Sequence, residues 1–127
     1  MFSTELLWQC VKKNTSFIKK SNGFILTSEP FNIMNLNSLK YSGLAARRSI
    51  SMDLVPNSNG KLVKNAKITK KNTGSSTIRC PKKLISKVNL SNDFKQAKKT
   101  IKNQILARPD LKNAAIIRYK KIQKAKC

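Results

Sequence analysis

Five adjacent basic pairs carry the recognisable chemistry of this sequence: Arg47-Arg48, Lys70-Lys71, Lys82-Lys83, Lys98-Lys99 and Lys120-Lys121. Paired ammonium and guanidinium groups neutralise phosphates and release condensed counterions, so they point to polyanion binding rather than bond-making. Arg79, Lys102, Arg118 and Lys124 extend the set. One such pair is the ordinary solvated face of a protein. The whole set differs because few acids balance it: of 127 residues, 27 are Lys or Arg and 5 are Asp or Glu, a formal net charge of +22. Compacting that charge is self-repelling unless a polyanion screens it. Nucleic acid is therefore the expected partner. Lysine outnumbers arginine 22 to 5, and lysine is a flexible point charge where arginine is a planar fork. Mostly lysine contacts predict binding to shape and backbone, not base reading.

Bond-making chemistry has little to work with. Histidine, the side chain that most often titrates near neutral pH and binds metals, is absent. Glu5, Glu29, Asp53, Asp93 and Asp110 are scattered, and nothing in their spacing suggests a general acid–base pair. Cys10, Cys80 and Cys127 form no C-x-x-C, which predicts reduced thiols in a cytosolic or nuclear setting. Gly23, Gly43, Gly60 and Gly74 are spaced as turns, not as a phosphate-cradling loop. No enzyme activity, cofactor, metal or small-molecule substrate is expected. No apolar run reaches the roughly 18–20 residues of a membrane span. The opening MFSTELLWQCVKK lacks the features of a secretory signal. Its Glu5 and its lack of arginine argue against a mitochondrial presequence.

The elements that must position these charges are an α+β set. Residues 1–60 hold seven basic and three acidic residues (net +4), and residues 61–127 hold twenty and two (net +18). The first half reads as a platform and the second as the contact region. A short helix opens the chain, with Thr4 as its cap and Leu7, Cys10 and Val11 on one face beside Trp8. Residues 15–20 and 23–28 flank Asn22-Gly23, the strongest short hairpin signal, and predict paired antiparallel strands. Residues 31–44 read as irregular, with a turn at Tyr41-Ser42-Gly43. A second hairpin is expected from Ser49 to Ile68, turning at Pro56 to Gly60.

Residues 69–83 read as a basic loop, mobile in isolation and ordered on its partner. Two basic amphipathic helices finish the chain within residues 90–126. The first follows Ser91 or Asn92, with Phe94, Ala97, Ile101 and Ile105 on its apolar face and Lys95, Lys98, Lys99 and Lys102 elsewhere. The second starts at Arg108-Pro109-Asp110, with Leu111, Ala114, Ala115 and Ile122 inward, Ile117 widening that face, and Arg118, Lys120, Lys121 and Lys124 left for solvent or phosphate. Arg108, Asp110 and Asn113 read as structural at that helix start. Phe17, Phe24, Phe31, Tyr41 and Tyr119 are able to stack on bases, although at 6% aromatic content most are needed in the core. The expectation is one domain over residues 1–127: a small antiparallel sheet from two hairpins in a 1–68 platform, a short N-terminal helix, a basic loop and two C-terminal helices.

Four stretches carry a family resemblance. Trp8, Val11 and Ser16-Phe17 are similar to an opening W-x-x-V…S-F, and T-S-E-P-F-N-I at 27–33 to S-x-E-P-x-N-L. N-S-L-K-Y-S-G-L at 37–44 resembles N-S-x-[RK]-Y-x-G-L, and R-P-D-L-K-N-A-A-I-I-R at 108–118 resembles R-P-D-L-x-x-A-A-I-x-R. Their order and spacing resemble the eukaryotic-type large-subunit ribosomal protein twenty-eight family over nearly the whole chain. The resemblance implies an α+β structural component of the large ribosomal subunit. It implies binding to large-subunit ribosomal RNA beside neighbouring ribosomal proteins, with a cytoplasmic location after a nucleolar assembly stage. The chain stops soon after its last helix, where relatives often continue with a basic tail, so contacts of that tail are not implied. A related ribosome-assembly factor has additional cysteines and a long acidic C-terminal region, neither of which stands here. An organellar or chromatin-associated binding module remains the other reading.

Overall fold

Asn22 and Gly23 take φ of 45° and 79°, the left-handed conformations that a two-residue hairpin turn demands. They join β1 (Ile18–Ser21) to β2 (Phe24–Thr27), paired antiparallel with Ile18 opposite Thr27 and Ser21 opposite Phe24. The computed structural model describes residues 2–56, 62–73 and 79–125. Before the hairpin lies α1 (Thr4–Val11), capped by Ser3, whose hydroxyl accepts the Leu6 N–H at 3.1 Å. The cap is thus one residue earlier than Thr4, and Trp8 is the residue that α1 buries.

The second sheet has three antiparallel strands in the order β3-β4-β5: β3 (Ser49–Pro56), β4 (Leu62–Lys71) and β5 (Ile85–Asn89). The two hairpins therefore lie in separate sheets, and β5 was not expected from the sequence. The expected turn at 56–60 falls largely outside the described residues. Thr69–Lys71, expected in the loop, belong to β4, and Asn72 N–H donates to Leu84 O at 2.7 Å where the chain returns. A short 3-10 turn at Pro81–Lys83 precedes β5. Residues 74–78 of the expected loop lie outside the described residues.

Register sorts the larger sheet into two faces. Ile50 opposes Lys70, Met52 opposes Ile68 and Leu54 opposes Ala66. This face meets the C-terminal helices α2 (Phe94–Gln104) and α3 (Lys112–Lys124). Ala97, Ile101 and Ile105 from the first and Ala115, Tyr119 and Ile122 from the second join Ile33, Ile50, Met52 and Ile68 in one apolar cluster. Full burial is worth roughly 1.5–3 kcal/mol for each large aliphatic chain. Tyr119 is wholly buried because its hydroxyl donates to Ser91 O at 2.8 Å and accepts from Gln123 Nε2 at 2.6 Å. Ile117 is about half exposed, and Ile116 packs on the core instead.

On the other face Ser49 and Thr69 are buried, and Lys71 Nζ donates to Gly43 O and Ala46 O, each at 3.4 Å. The irregular segment is ordered here by polar chemistry. Buried Glu29 accepts from Asn32 Nδ2 at 2.8 Å, Gly43 N–H at 3.3 Å and Ser42 Oγ at 3.4 Å. A Cβ on Gly43 would collide with the Pro30 carbonyl oxygen, so only glycine lets the two loop segments approach.

Candidate nucleic-acid interface

Helical spacing puts Lys95, Lys98, Lys99 and Lys102 of α2 on one stripe, opposite buried Ala97 and Ile101. All four are exposed. Seven steps of 1.5 Å from Lys95 to Lys102 make the stripe roughly 10 Å long. On α3, Lys120, Lys121 and Lys124 are exposed. The Lys120 ammonium lies 5.3 Å from the centre of the Phe94 ring, which itself stacks on Tyr119 with centroids 6.2 Å apart. That contact holds the start of α2 beside the outer face of α3. Neither helix contains an acid.

Arg48 and the Lys70-Lys71 pair, distant in sequence, meet at a cleft of about 260 Å³ that Gln104 and Arg108 also line, while Arg47 lines a second cleft that shares Arg48 and Arg108. Several cations of the two clefts are already engaged. Lys70 Nζ donates to Gln104 Oε1 at 2.8 Å, Lys71 to the Gly43 and Ala46 carbonyls, and Arg47 Nη2 to Phe2 O at 3.3 Å. Lys70 and Lys71 are half-buried, and Arg47 and Arg48 are exposed. Arg79, Lys82 and Lys83 are exposed near the 3-10 turn before β5.

Arg118 does not stand with the solvent-facing lysines. Its position in α3 falls in the arc of Leu111, Ala115 and Ile122, and its Nε is buried without a hydrogen-bond partner. The spacing carried that signal, since Arg118 follows Leu111 by seven residues and precedes Ile122 by four. Tyr119, considered for stacking, is core. Phe24 is the most exposed of the five aromatics weighed for stacking, at 70%.

Arg108 is a structural clamp, as its place at the helix start implied. Its guanidinium pairs with both carboxylate oxygens of Asp110 at 2.9 and 3.0 Å and donates to Arg48 O at 2.8 Å and Lys40 O at 2.9 Å. The hydrogen bond from Arg108 holds the Asp110 carboxyl below its ordinary value, outweighing a smaller opposing effect of burial. Among the described residues this is the one ion pair. The described lysines thus have no carboxylate partner within the described fold. Among the described residues no helix is long and apolar enough to cross a membrane.

The arrangement suits a folded polyanion: two lysine faces without acids, a cationic cleft and basic residues before β5. Residues 6–125 match the model of the ribosomal L28e protein family. The chain is 39% identical over 125 residues to the large ribosomal subunit protein eL28 of Dictyostelium discoideum, covering 97% of this chain and 88% of that protein. It is 36% identical over 52 residues to the large ribosomal subunit protein eL28 of Caenorhabditis elegans, 39% of this chain and 41% of that one.

Proposed function

The chain belongs to the ribosomal L28e protein family, and from that premise we propose that it is a structural constituent of the large ribosomal subunit, not an enzyme. It sits on folded ribosomal RNA beside neighbouring large-subunit proteins, in cytoplasmic ribosomes after nucleolar assembly. Its contacts are the lysine faces of α2 and α3 (Lys98, Lys99, Lys102, Lys120, Lys121 and Lys124), the Arg47-Arg48 and Lys70-Lys71 pairs at the two clefts, and Arg79, Lys82 and Lys83. The observation that carries this reading is the α2 stripe: four exposed lysines with no acid on their helix. Like charges four apart destabilise a helix by a few tenths of a kcal/mol per pair. Phosphate converts that cost into binding.

The test replaces Lys98, Lys99 and Lys102 together by glutamate and measures affinity for structured large-subunit RNA across a salt series. Each lost phosphate contact flattens the log–log salt slope by about 0.7–0.9, so the triple variant is expected to lose up to about 2–3 in slope as well as affinity. An unchanged slope would make this face plain solvent surface. In a high-salt sucrose gradient of lysate, the protein should travel with large subunits and translating ribosomes. Confinement to precursor particles would instead indicate an assembly factor.

A further inference from the structure

The outer edge of β3, the 28–35 segment and α3 enclose a groove of about 450 Å³ whose chemistry differs from that of the lysine faces. Ser28, Glu29, Phe31, Asn35, Asp53 and Arg118 are among its lining residues. Two of them are carboxylates, which disfavours a phosphate. Glu29 is occupied in holding the loop. So is Asn32, which donates to Glu29 and to Leu36 O at 2.9 Å and accepts the Met34 N–H at 3.2 Å.

The remaining charged groups that line the groove are a pair of opposite hydrogen-bonding characters. Asp53 is an exposed acceptor whose Oδ2 is steadied by Ser51 Oγ at 2.8 Å. It stands across the ladder from Lys67 without an ion pair to it. Arg118 is a donor whose Nε–H is buried and lacks an acceptor. A buried donor left unmet in a folded chain calls for a specific explanation. Phe31 adds a half-buried aromatic ring, and its backbone has φ +62°, a conformation rare for a bulky residue and typical of functional loops.

We propose that this groove captures one unstacked RNA base, and that the base is guanine. Phe31 offers the stacking surface. The Asp53 carboxylate accepts the adjacent N1–H and N2–H donors of guanine, and Arg118 donates to its O6 or N7 acceptors. Adenine, cytosine and uracil cannot offer two adjacent donors to a carboxylate beside an acceptor for arginine. RNA as the source rests on the function proposed above and goes beyond it, since lysine faces read backbone while this groove reads sequence.

The test titrates the isotope-labelled full chain with the four nucleoside 5′-monophosphates and with inorganic phosphate, following the Arg118 Nε–H signal and the Phe31 ring by NMR. GMP is expected to move both, with affinity at least about tenfold above the other three nucleotides, the discrimination of one good bidentate contact. Asp53→Asn should erase that preference and Phe31→Ala should weaken all four, with salt-dependent binding of structured RNA intact in both variants. Equal responses to all four nucleotides, or an equal response to phosphate, would overturn base recognition while leaving the lysine faces standing. Failure of the wild-type chain to bind structured RNA would instead overturn the parent reading. In assembled large subunits, Asp53→Asn should expose one guanine to kethoxal, which attacks N1 and N2. An unchanged modification pattern would overturn RNA as the source of the base.

Discussion

Arg108→Ala removes the clamp that ties the start of the last helical segment to two distant loop carbonyls. In the native chain Nη1 donates to Arg48 O at 2.8 Å and Nη2 to Lys40 O at 2.9 Å. Hydrogen bonds from a charged donor contribute about 1.5–3 kcal/mol each. The adjacent Asp110 pair adds little, because its carboxylate is 40% exposed and exposed ion pairs are worth at most about 1 kcal/mol. The expected loss is therefore about 3 kcal/mol, which at a urea slope near 1.5–2 kcal/mol per molar lowers the midpoint by about 1.5–2 M. Trp8, the single tryptophan and a buried one, reports the transition by fluorescence. Arg108→Lys keeps the charge without the fork and should fall between the two. The carboxyl of Asp110 titrates below its ordinary value of 3.8 in the folded chain, chiefly through Arg108. Its stabilisation is thus complete above 3.8 and is lost as pH falls through the folded-state value. Asp110→Asn should therefore differ from wild type at neutral pH and converge with it in acid. A midpoint for Arg108→Ala within about 0.3 M of wild type, well under 1 kcal/mol, would refute the clamp.

Gly43→Ala places a methyl against the Pro30 carbonyl and the Phe31 Cβ, the latter at 2.8 Å. Overpacking of this kind costs about 1–3 kcal/mol, so thermal unfolding should drop by roughly 3–10 °C, and an unchanged Tm would contradict the tight approach. Tyr119→Phe leaves Ser91 O without its 2.8 Å donor and should cost about 1 kcal/mol in urea denaturation. The RNA salt slope should stay unchanged, because Tyr119 is wholly buried; a changed slope would place it in the interface.

The hairpin at Asn22-Gly23 was legible because its turn chemistry is local: two residues that tolerate positive φ, flanked by β-formers. The two C-terminal helices were legible by period, and Ala97, Ile101, Leu111 and Ala115 are buried as that period requires. β5 was not legible because it is an edge strand. Ile85, Lys87 and Asn89 are exposed while Ser86 and Val88 are half-buried, so neither face carries a run of apolar side chains. A lysine on such an edge is also an ordinary guard against unwanted pairing. The 31–44 segment read as irregular because its order depends on partners far away: Glu29 with Gly43, Arg108 with Lys40. Spacing shows which residues are charged, but only the fold shows that Lys70 and Lys71 are turned inward to Gln104 and to loop carbonyls while Lys98 and Lys99 are not.

The use of the acids explains the division of labour. Glu29 organises a loop, Asp110 steadies Arg108, Asp93 stands at the N-cap of α2 and Glu5 sits in the first turn of α1. Asp53 lies on the edge strand. None is on α2 or α3, where Lys95 with Lys99 and Lys98 with Lys102 repel at four-residue spacing. An acid four residues from any of these lysines would steady the free helix, but it would also compete with phosphate for the same ammonium. The apolar cluster shared with β3 and β4 carries the helices instead, through Ile101, Ile105, Tyr119 and Ile122. Stability thus comes from the inner faces, and the outer faces keep an unneutralised field. Replacing counterions by ordered phosphates relieves that field and returns it as affinity. On the proposed RNA-binding role, binding and relief of electrostatic strain are the same process.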